Sequence, residues 1–163
     1  MVARVDERDG DRVTTVSVTV EIDAPPERVW QVVSNPANLP YWDRHIVRVI
    51  GVPDTGLERG ISYVVLMRFM AVHARVHAQV LEWDAPRLAS ISLRGVLDAV
   101  VTSTVEPLDT DHSVLGHVVE YRFRGGPLGE LVAGSLRVVG GAQLALRRGT
   151  LAQKRQIESG QPA

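Results

Sequence analysis

Cysteine is absent from the 163-residue sequence. Disulfide bonds, thiolate metal sites, iron–sulfur clusters and cysteine nucleophiles are therefore excluded, because each needs a sulfur that the chain lacks. No apolar run approaches the roughly 20 residues that a membrane-spanning helix requires. The first twelve residues are rich in arginine, aspartate and glutamate, which is unlike the apolar segment of a secretory signal. These absences predict a cytoplasmic protein without stable membrane insertion.

Charge of one sign is also scarce. Lys and Arg number 18 against 19 Asp and Glu, for a formal net charge of -1. Non-specific binding to nucleic acid relies on an excess of positive charge, so we expect no nucleic-acid partner. Hydrophobic residues make up 45% and charged residues 23% of the chain, proportions that are typical of a globular protein.

Hydrophobic periodicity divides the chain into three parts. Residues 1–12 are polar and aperiodic, which predicts a flexible N-terminal tail. Residues 13–157 carry regular patterns throughout and are predicted to form one domain, in keeping with the size of a single domain. Residues 158–163 are predicted to be a short C-terminal tail.

Most of the domain follows the two-residue period of half-buried strands. Apolar residues alternate with polar ones from Val13 to Ile22. Six further strand candidates, separated by residues with turn chemistry, are His45–Val52, Ile61–Met70, Val72–Trp83, Leu88–Arg94, Asp98–Glu106 and Ser113–Arg124. Because the connections are short, the pattern predicts an antiparallel meander.

Helical spacing occurs near both ends of the domain. A short helix is predicted over about Pro25–Ser34, and Pro36–Tyr41 is predicted to form another short turn of helix. After Pro127 the apolar residues predict one long amphipathic helix from near Leu128 to near Ile157. Helices and strands are segregated along the chain, so the predicted class is α+β, with the terminal helix covering the sheet.

The two-residue period also sorts the strands into an inner and an outer face. On Val72–Trp83 the apolar set, starting with Val72, is predicted to face inward, while His73 and His77 face outward. The same parity places these residues with polar or polarisable groups on the inner face: Tyr63, Met67, Ser103, His117 and Tyr121.

Small residues recur on both predicted layers. The sheet contributes Ala74 and Ala78, and the helix contributes Ser135. Protein interiors are close-packed, so small residues on facing layers either let the helix approach the sheet or leave a cavity. Gly134, Gly140 and Gly141 fit both interpretations, since each costs about 1 kcal/mol of helix propensity relative to alanine and needs a compensating close approach or a kink.

Several catalytic and metal motifs are considered and rejected. His73 and His77 lie four residues apart on a predicted strand, a span of about 13 Å, which is too far for a single metal ion. No Gly-x-Ser-x-Gly nucleophile elbow is present. The segment Gly125-Gly-Pro-Leu-Gly129 opens a helix, but its proline removes a donor and no parallel βαβ unit supports a phosphate loop. We expect neither a metal nor a cofactor.

Two segments carry a resemblance to a known family. The segments Ile22-Asp-Ala-Pro-Pro-Glu-Arg-Val-Trp30 and Asn35-Pro-Ala-Asn-Leu-Pro-Tyr-Trp42 resemble the opening of the polyketide cyclase/dehydrase and lipid-transport group. That group belongs to the START-like helix-grip (SRPBCC) superfamily. The turn Trp83-Asp-Ala-Pro-Arg87 and the entry into the last helix match as well, so the likeness extends from about Val13 to Gln156.

The resemblance implies a sheet of about seven antiparallel strands wrapped around the C-terminal helix, with a ligand tunnel between them. Members bind apolar small molecules such as lipids, sterols or polyketides, and a minority catalyse reactions on them. The superfamily shares no catalytic signature, so no catalytic residue is carried over.

Strand parity and the aromatic turn after the first helix together predict the residues that contact the ligand. Tyr41 and Trp42 are placed at the entrance. His117 and Tyr121 could each exchange a hydrogen bond with the ligand, and they are also the candidates for proton transfer. The full predicted set is Tyr41, Trp42, Tyr63, Met67, Ser103, His117, Tyr121 and Ser135.

Three functions remain open. The first is binding, transport or sequestration of an apolar or amphipathic small molecule. The second is a metal-free polyketide aromatase/cyclase or dehydratase that uses His117 or Tyr121 as an acid–base group. The third is a protein-interaction module with a vestigial cavity, which would expose an apolar patch around Leu144 and Leu151. The predicted partner is an apolar small molecule, and homodimer formation is left open.

Overall fold

The computed structural model describes residues 13–95, 97–123, 127–138 and 141–160. Strand β1 (Thr14–Ile22) leads into helix α1 (Pro26–Val33), a 3-10 turn (Pro36–Asn38) and the one-turn helix α2 (Leu39–Trp42). The other strands are β2 (Ile46–Ile50), β3 (Ser62–Phe69), β4 (Val72–Asp84), β5 (Leu88–Arg94), β6 (Leu97–Pro107) and β7 (Ser113–Phe123). Helices α3 (Pro127–Val138) and α4 (Gly141–Glu158) follow. The tail predicted for residues 1–12 lies outside the described residues, as do residues 161–163.

The strands form one seven-stranded antiparallel sheet in the order β1-β7-β6-β5-β4-β3-β2. From β2 to β7 each strand pairs with the next along the chain, which confirms the predicted meander. β1 and β2 lie at opposite edges because α1 and α2 carry the chain from one edge of the sheet to the other. All predicted strand ends after β1 agree with the structure to within two residues.

Burial along the strands confirms the predicted inner and outer faces. On β4, Ala74, Val76, Ala78 and Val80 are buried, whereas the alternate residues are exposed. The same parity holds on β3, β6 and β7. The prediction was wrong for Val72, which is 36% exposed and is the first residue after the β3–β4 turn.

The first helices are tied to the sheet by aromatic and buried polar contacts. Trp30 of α1 packs edge-to-face on Trp83 of β4, with ring centroids 5.1 Å apart. Asn38 is completely buried, and its side-chain amide donates a 2.8 Å hydrogen bond to the Val32 carbonyl. Such a contact satisfies a polar group that would otherwise be costly to bury. The contact with Trp83 therefore holds α1 against the sheet, and Asn38 holds the 3-10 turn against α1.

The C-terminal helical region consists of two helices rather than the single continuous helix predicted from its spacing. α3 ends at Val138 and α4 begins at Gly141, and residues 139 and 140 lie outside the described residues. Gly141 has a φ of +86°, a left-handed conformation that glycine adopts without a steric cost. A residue in that conformation cannot continue a right-handed helix, which explains the break.

Helix α4 lies along β1, the edge strand. The side chains of Gln143 and Lys154 donate hydrogen bonds of 2.7 Å each to the carbonyls of Ser17 and Glu21. Beyond β1, the Asp23 N–H donates a 3.0 Å hydrogen bond to the Glu158 carboxylate. Unpaired edge groups otherwise favour pairing with another chain, and here helix side chains satisfy some of them.

Candidate ligand-binding site

A cleft of about 670 Å³ opens between helix α3 and the turn that joins β3 to β4. Its walls come from three places: the segment after α2, the end of β3 with its turn, and the middle of α3. The described residues that line it are Arg44, His45, Arg68, Met70, Glu130, Leu131, Gly134 and Ser135. This volume is within the range of small-molecule sites.

Gly134 keeps the helical wall of the cleft open. A Cβ atom built on Gly134 would have no heavy atom within 4 Å. Close packing therefore does not explain this glycine, although glycine costs a helix about 1 kcal/mol relative to alanine. Of the two interpretations left open by the sequence, empty space rather than close approach applies at this position.

Met70 forms the opposite lip of the cleft. Phe69 pairs with Val72, so Met70 and Ala71 form a two-residue hairpin loop. Such loops require a positive φ at their first central residue, which is usually glycine or asparagine. Met70 has a φ of 52° and is 75% exposed. The loop thus presents a flexible, polarisable side chain to the mouth of the cleft.

His45 occupies a rigid position in the wall. One oxygen of the Asp43 carboxylate lies 2.8 Å from Nδ1 of His45 and also accepts a 2.8 Å hydrogen bond from the His45 backbone N–H. The imidazole stacks on Phe69, with ring centroids 5.3 Å apart and planes 22° apart. Because Asp43 accepts, Nδ1 carries a proton. Reasoning from the sequence missed this residue, although an aspartate two positions before a histidine was a signal for such a turn.

His117 is buried between the sheet and α4. Its Nε2 lies 2.7 Å from the Gln153 side-chain oxygen and its Nδ1 lies 2.8 Å from the Ser103 hydroxyl. A carbonyl oxygen only accepts, so Nε2 donates to Gln153, and Nδ1 of the neutral ring accepts from Ser103. Burial lowers the pKa of His117, opposed by the hydrogen bond to Gln153. Both ring nitrogens are therefore already hydrogen-bonded within the protein.

Tyr63 differs from His117, because its hydroxyl has no hydrogen-bond partner among the described residues. The side chain is 5% exposed and packs in the cluster with Val65, Val76, Ala78 and Val80. Burial raises its pKa to about 12, so the phenol stays protonated and remains a donor. The hydroxyl is therefore available to donate a hydrogen bond to a ligand oxygen.

The other predicted site residues are dispersed. Tyr41 is 73% exposed, and Trp42 is half-buried and donates a 2.7 Å hydrogen bond to Gln156. Met67 lies half-buried on the inner face of β3, and Tyr121 packs edge-to-face on Phe123. Among the described residues that line the cleft, Ser135 alone belongs to the predicted set.

Two other kinds of site are absent from the described residues. Within those residues, no group of three or more histidine, aspartate or glutamate side chains is arranged to hold a metal ion. No helix in the described part of the chain has both the length and the apolar character needed to cross a membrane. His73 and His77 are exposed on the outer face of β4.

An antiparallel sheet with its terminal helices packed against it, and a cleft between α3 and one end of that sheet, define a helix-grip domain. Residues 13–157 match the family described as polyketide cyclase / dehydrase and lipid transport, and the chain belongs to that family. The family and the fold are those of hydrophobic-ligand-binding domains. A comparison with curated proteins finds no significant match.

Solved structures support the fold. A START superfamily protein from Mycobacterium smegmatis superimposes with a TM-score of 0.66 at 17% identity, over 89% of this chain and 97% of that one. The Zhui aromatase/cyclase from Streptomyces sp. R1128 gives 0.65 at 12% identity, over 93% and 100%. Norcoclaurine synthase from Thalictrum flavum gives 0.64 at 16% identity, over 95% and 100%.

Proposed function

We propose that this protein binds an apolar or amphipathic small molecule, such as a lipid or a polyketide, with the cleft between α3 and the β3–β4 turn as its entrance. The observation that carries the proposal is a cleft of about 670 Å³ whose helical wall is kept open by Gly134. Met70 and Leu131 supply apolar surface. A few polar groups in an otherwise apolar cleft are the usual composition of a small-molecule site.

Tyr63 supports a binding site that continues from the entrance into the interior. It lies on the same inner face of β3 as Met67, which packs both with the Tyr63 cluster and with the cluster of Phe69 and Val132 beneath α3. A ligand oxygen that reached Tyr63 would accept a hydrogen bond from its hydroxyl, which has no partner in the described part of the chain. We therefore keep Tyr63, Met67 and Ser135 as proposed contacts.

Binding has more support than cyclase or dehydratase chemistry based on His117. A general acid or base must reach its substrate within hydrogen-bond distance, and both nitrogens of His117 are occupied by Ser103 and Gln153. The interaction-module alternative has less support too, because Leu144 and Leu151 are half-buried rather than part of an exposed patch.

The proposal is tested with Nile red, a neutral hydrophobic dye, and with native mass spectrometry of freshly purified protein. We expect saturable dye binding and a co-purified mass. Gly134→Phe places a ring in the cleft and should weaken dye binding about tenfold or more, equivalent to roughly 1.4 kcal/mol. The matched control is His77→Phe, which places the same ring on the exposed outer face of β4. Equal affinities of the two folded variants for the dye would contradict the proposal.

A further inference from the structure

The rim of the cleft holds two arginines whose side chains have no ion-pair partner among the described residues, Arg44 and Arg68. Both are exposed. Two arginines elsewhere do have carboxylate partners: Arg87 pairs with Asp84 at 2.9 Å and Arg122 with Asp98 at 3.3 Å. Among the described residues, exposed arginines such as Arg59 also have no carboxylate partner, so the position beside the cleft is what distinguishes Arg44 and Arg68.

Backbone contacts bring the two arginines to the same part of the rim. Arg44 directly precedes His45, and the Arg68 N–H donates a 2.7 Å hydrogen bond to the His45 carbonyl. His45 is itself fixed by Asp43 and by stacking on Phe69. The two guanidinium groups are thus carried by segments that are joined to one rigid residue, so little ordering of the backbone is needed when a ligand arrives.

The charge at the cleft is positive on balance. Among the described lining residues, two arginines stand against the single carboxylate of Glu130, and the Asp43 carboxylate nearby is engaged by His45. Glu130 lies in the first turn of α3, on the other wall. Next to these charges, Met70 and Leu131 offer apolar surface.

We propose that the ligand is amphipathic and carries an acidic head group, a carboxylate or a phosphate, which Arg44 and Arg68 hold at the rim while its apolar body enters the cleft. The inference rests on the proposed function and specifies its ligand class. Arginine suits this role because its planar donor fork matches both carboxylate and phosphate oxygens.

The test compares three molecules that share one apolar chain and differ in the head group: decanoate, decyl phosphate and decanol. Each is titrated against bound Nile red at low salt. We expect decanoate or decyl phosphate to bind about tenfold more tightly than decanol, the ratio that one net charge-assisted hydrogen bond provides. The acid that binds more tightly shows whether the site prefers a carboxylate or a phosphate head group. The advantage of the acid should shrink as salt is added, because exposed charges are screened.

Variants locate the effect. Arg44→Gln and Arg68→Gln should each reduce the ratio of the decanol dissociation constant to the decanoate dissociation constant. Glu130→Gln should increase this ratio, because it removes a negative charge that repels the carboxylate of decanoate. Arg59→Gln is the matched control, since Arg59 is an exposed arginine in the β2–β3 loop, before β3, whereas the cleft lies at the end of that strand. Because the readout is a ratio within one variant, a general loss of affinity does not imitate the result.

Equal binding of decanol and decanoate by the unaltered protein would overturn the head-group proposal and leave the proposed function standing. The head-group proposal would also be overturned if Arg59→Gln lowered the ratio as much as Arg44→Gln and Arg68→Gln do. The proposed function fails on a different result: equal Nile red affinities of the Gly134→Phe and His77→Phe variants.

Discussion

His117 lies at the centre of a hydrogen-bonded chain that joins β6, β7 and α4. Ser103 donates to its ring, and the ring donates to Gln153. Buried polar groups in native proteins are nearly always satisfied in this way, and removal of His117 would take this partner from both Ser103 and Gln153. The chain fixes the position of α4 over the sheet, which is a structural role for a residue that the sequence offered as a catalytic candidate.

The protonation of His117 makes a testable contribution to stability. Its pKa in the folded state lies below the ordinary value of 6.5 because of burial. The unfolded chain therefore binds more protons as the pH falls below about 6.5, and the free energy of unfolding should decrease in acid by at most about 1.4 kcal/mol per pH unit from this group. Above that pH the contribution of His117 is constant.

His117→Gln removes the titrating group while keeping one donor and one acceptor, so urea unfolding of this variant from pH 7 to pH 5 should show a shallower loss. His112→Gln is the control. His112 is exposed, and its pKa is raised by Asp109, so its contribution is present in acid and is lost as the pH rises. If the stability curves of the unaltered protein and of His117→Gln ran parallel, the buried neutral histidine would be refuted.

At the scale of the element, two glycines of the C-terminal helices, Gly134 and Gly141, have opposite roles. Gly134 lies inside α3 with ordinary helical φ, and Gly141 begins α4 with a φ of +86°. Neither has a heavy atom within 4 Å of an added Cβ. Substituting each by alanine therefore isolates the conformational preference of the backbone from steric contact.

We expect Gly134→Ala to stabilise the protein by about 1 kcal/mol through helix propensity. Gly141→Ala should destabilise it by roughly 1–2 kcal/mol, the cost of a left-handed conformation for a residue with a Cβ. Chemical denaturation of each variant and of the unaltered protein measures the two changes in the free energy of unfolding. Two changes of the same sign would show that the break between α3 and α4 does not depend on the conformation of Gly141.

Helix α4 also protects the sheet. β1 is an edge strand, and α4 provides side-chain donors for the carbonyls of Ser17 and Glu21. The opposite edge, β2, exposes Val47 and Ile50. The positively charged side chain of Arg48 lies between them and is exposed as well, and charges on edge strands discourage pairing with other chains.

For the whole molecule, ligand binding and stability are linked. A molecule that binds only the folded state stabilises it by about 2.7 kcal/mol at a concentration of 100 times its dissociation constant. For a domain of this size each kcal/mol raises the melting temperature by roughly 2–4 °C. Saturating Nile red should therefore raise the melting temperature by about 5–10 °C.

The unaltered protein should show this shift in melting temperature, and Gly134→Phe should show a smaller shift at the same dye concentration. An unchanged melting temperature despite saturable binding would mean that the dye does not prefer the folded state.

Much of the interior was predictable from local pattern. Period-two alternation placed Tyr63 and His117 on the inner face, because side chains on a strand alternate strictly between its faces. The rim of the cleft was not predictable in the same way. Arg68 has the parity of the outer face of β3, yet it lines the cleft because it lies near the end of the strand, and Met70 and Arg44 belong to connections that have no period.

The sequence alone determined the α+β class, the seven strands with their faces and the family resemblance, since all of these depend on residues close together in the chain. Only the tertiary structure decided which groups meet. It joined Ser103, His117 and Gln153 into one chain, gave the Tyr63 hydroxyl no partner among the described residues, and brought Arg44 and Arg68 together beside His45. These contacts link residues distant in sequence, and they depend on how the strands and helices pack, which no local pattern encodes.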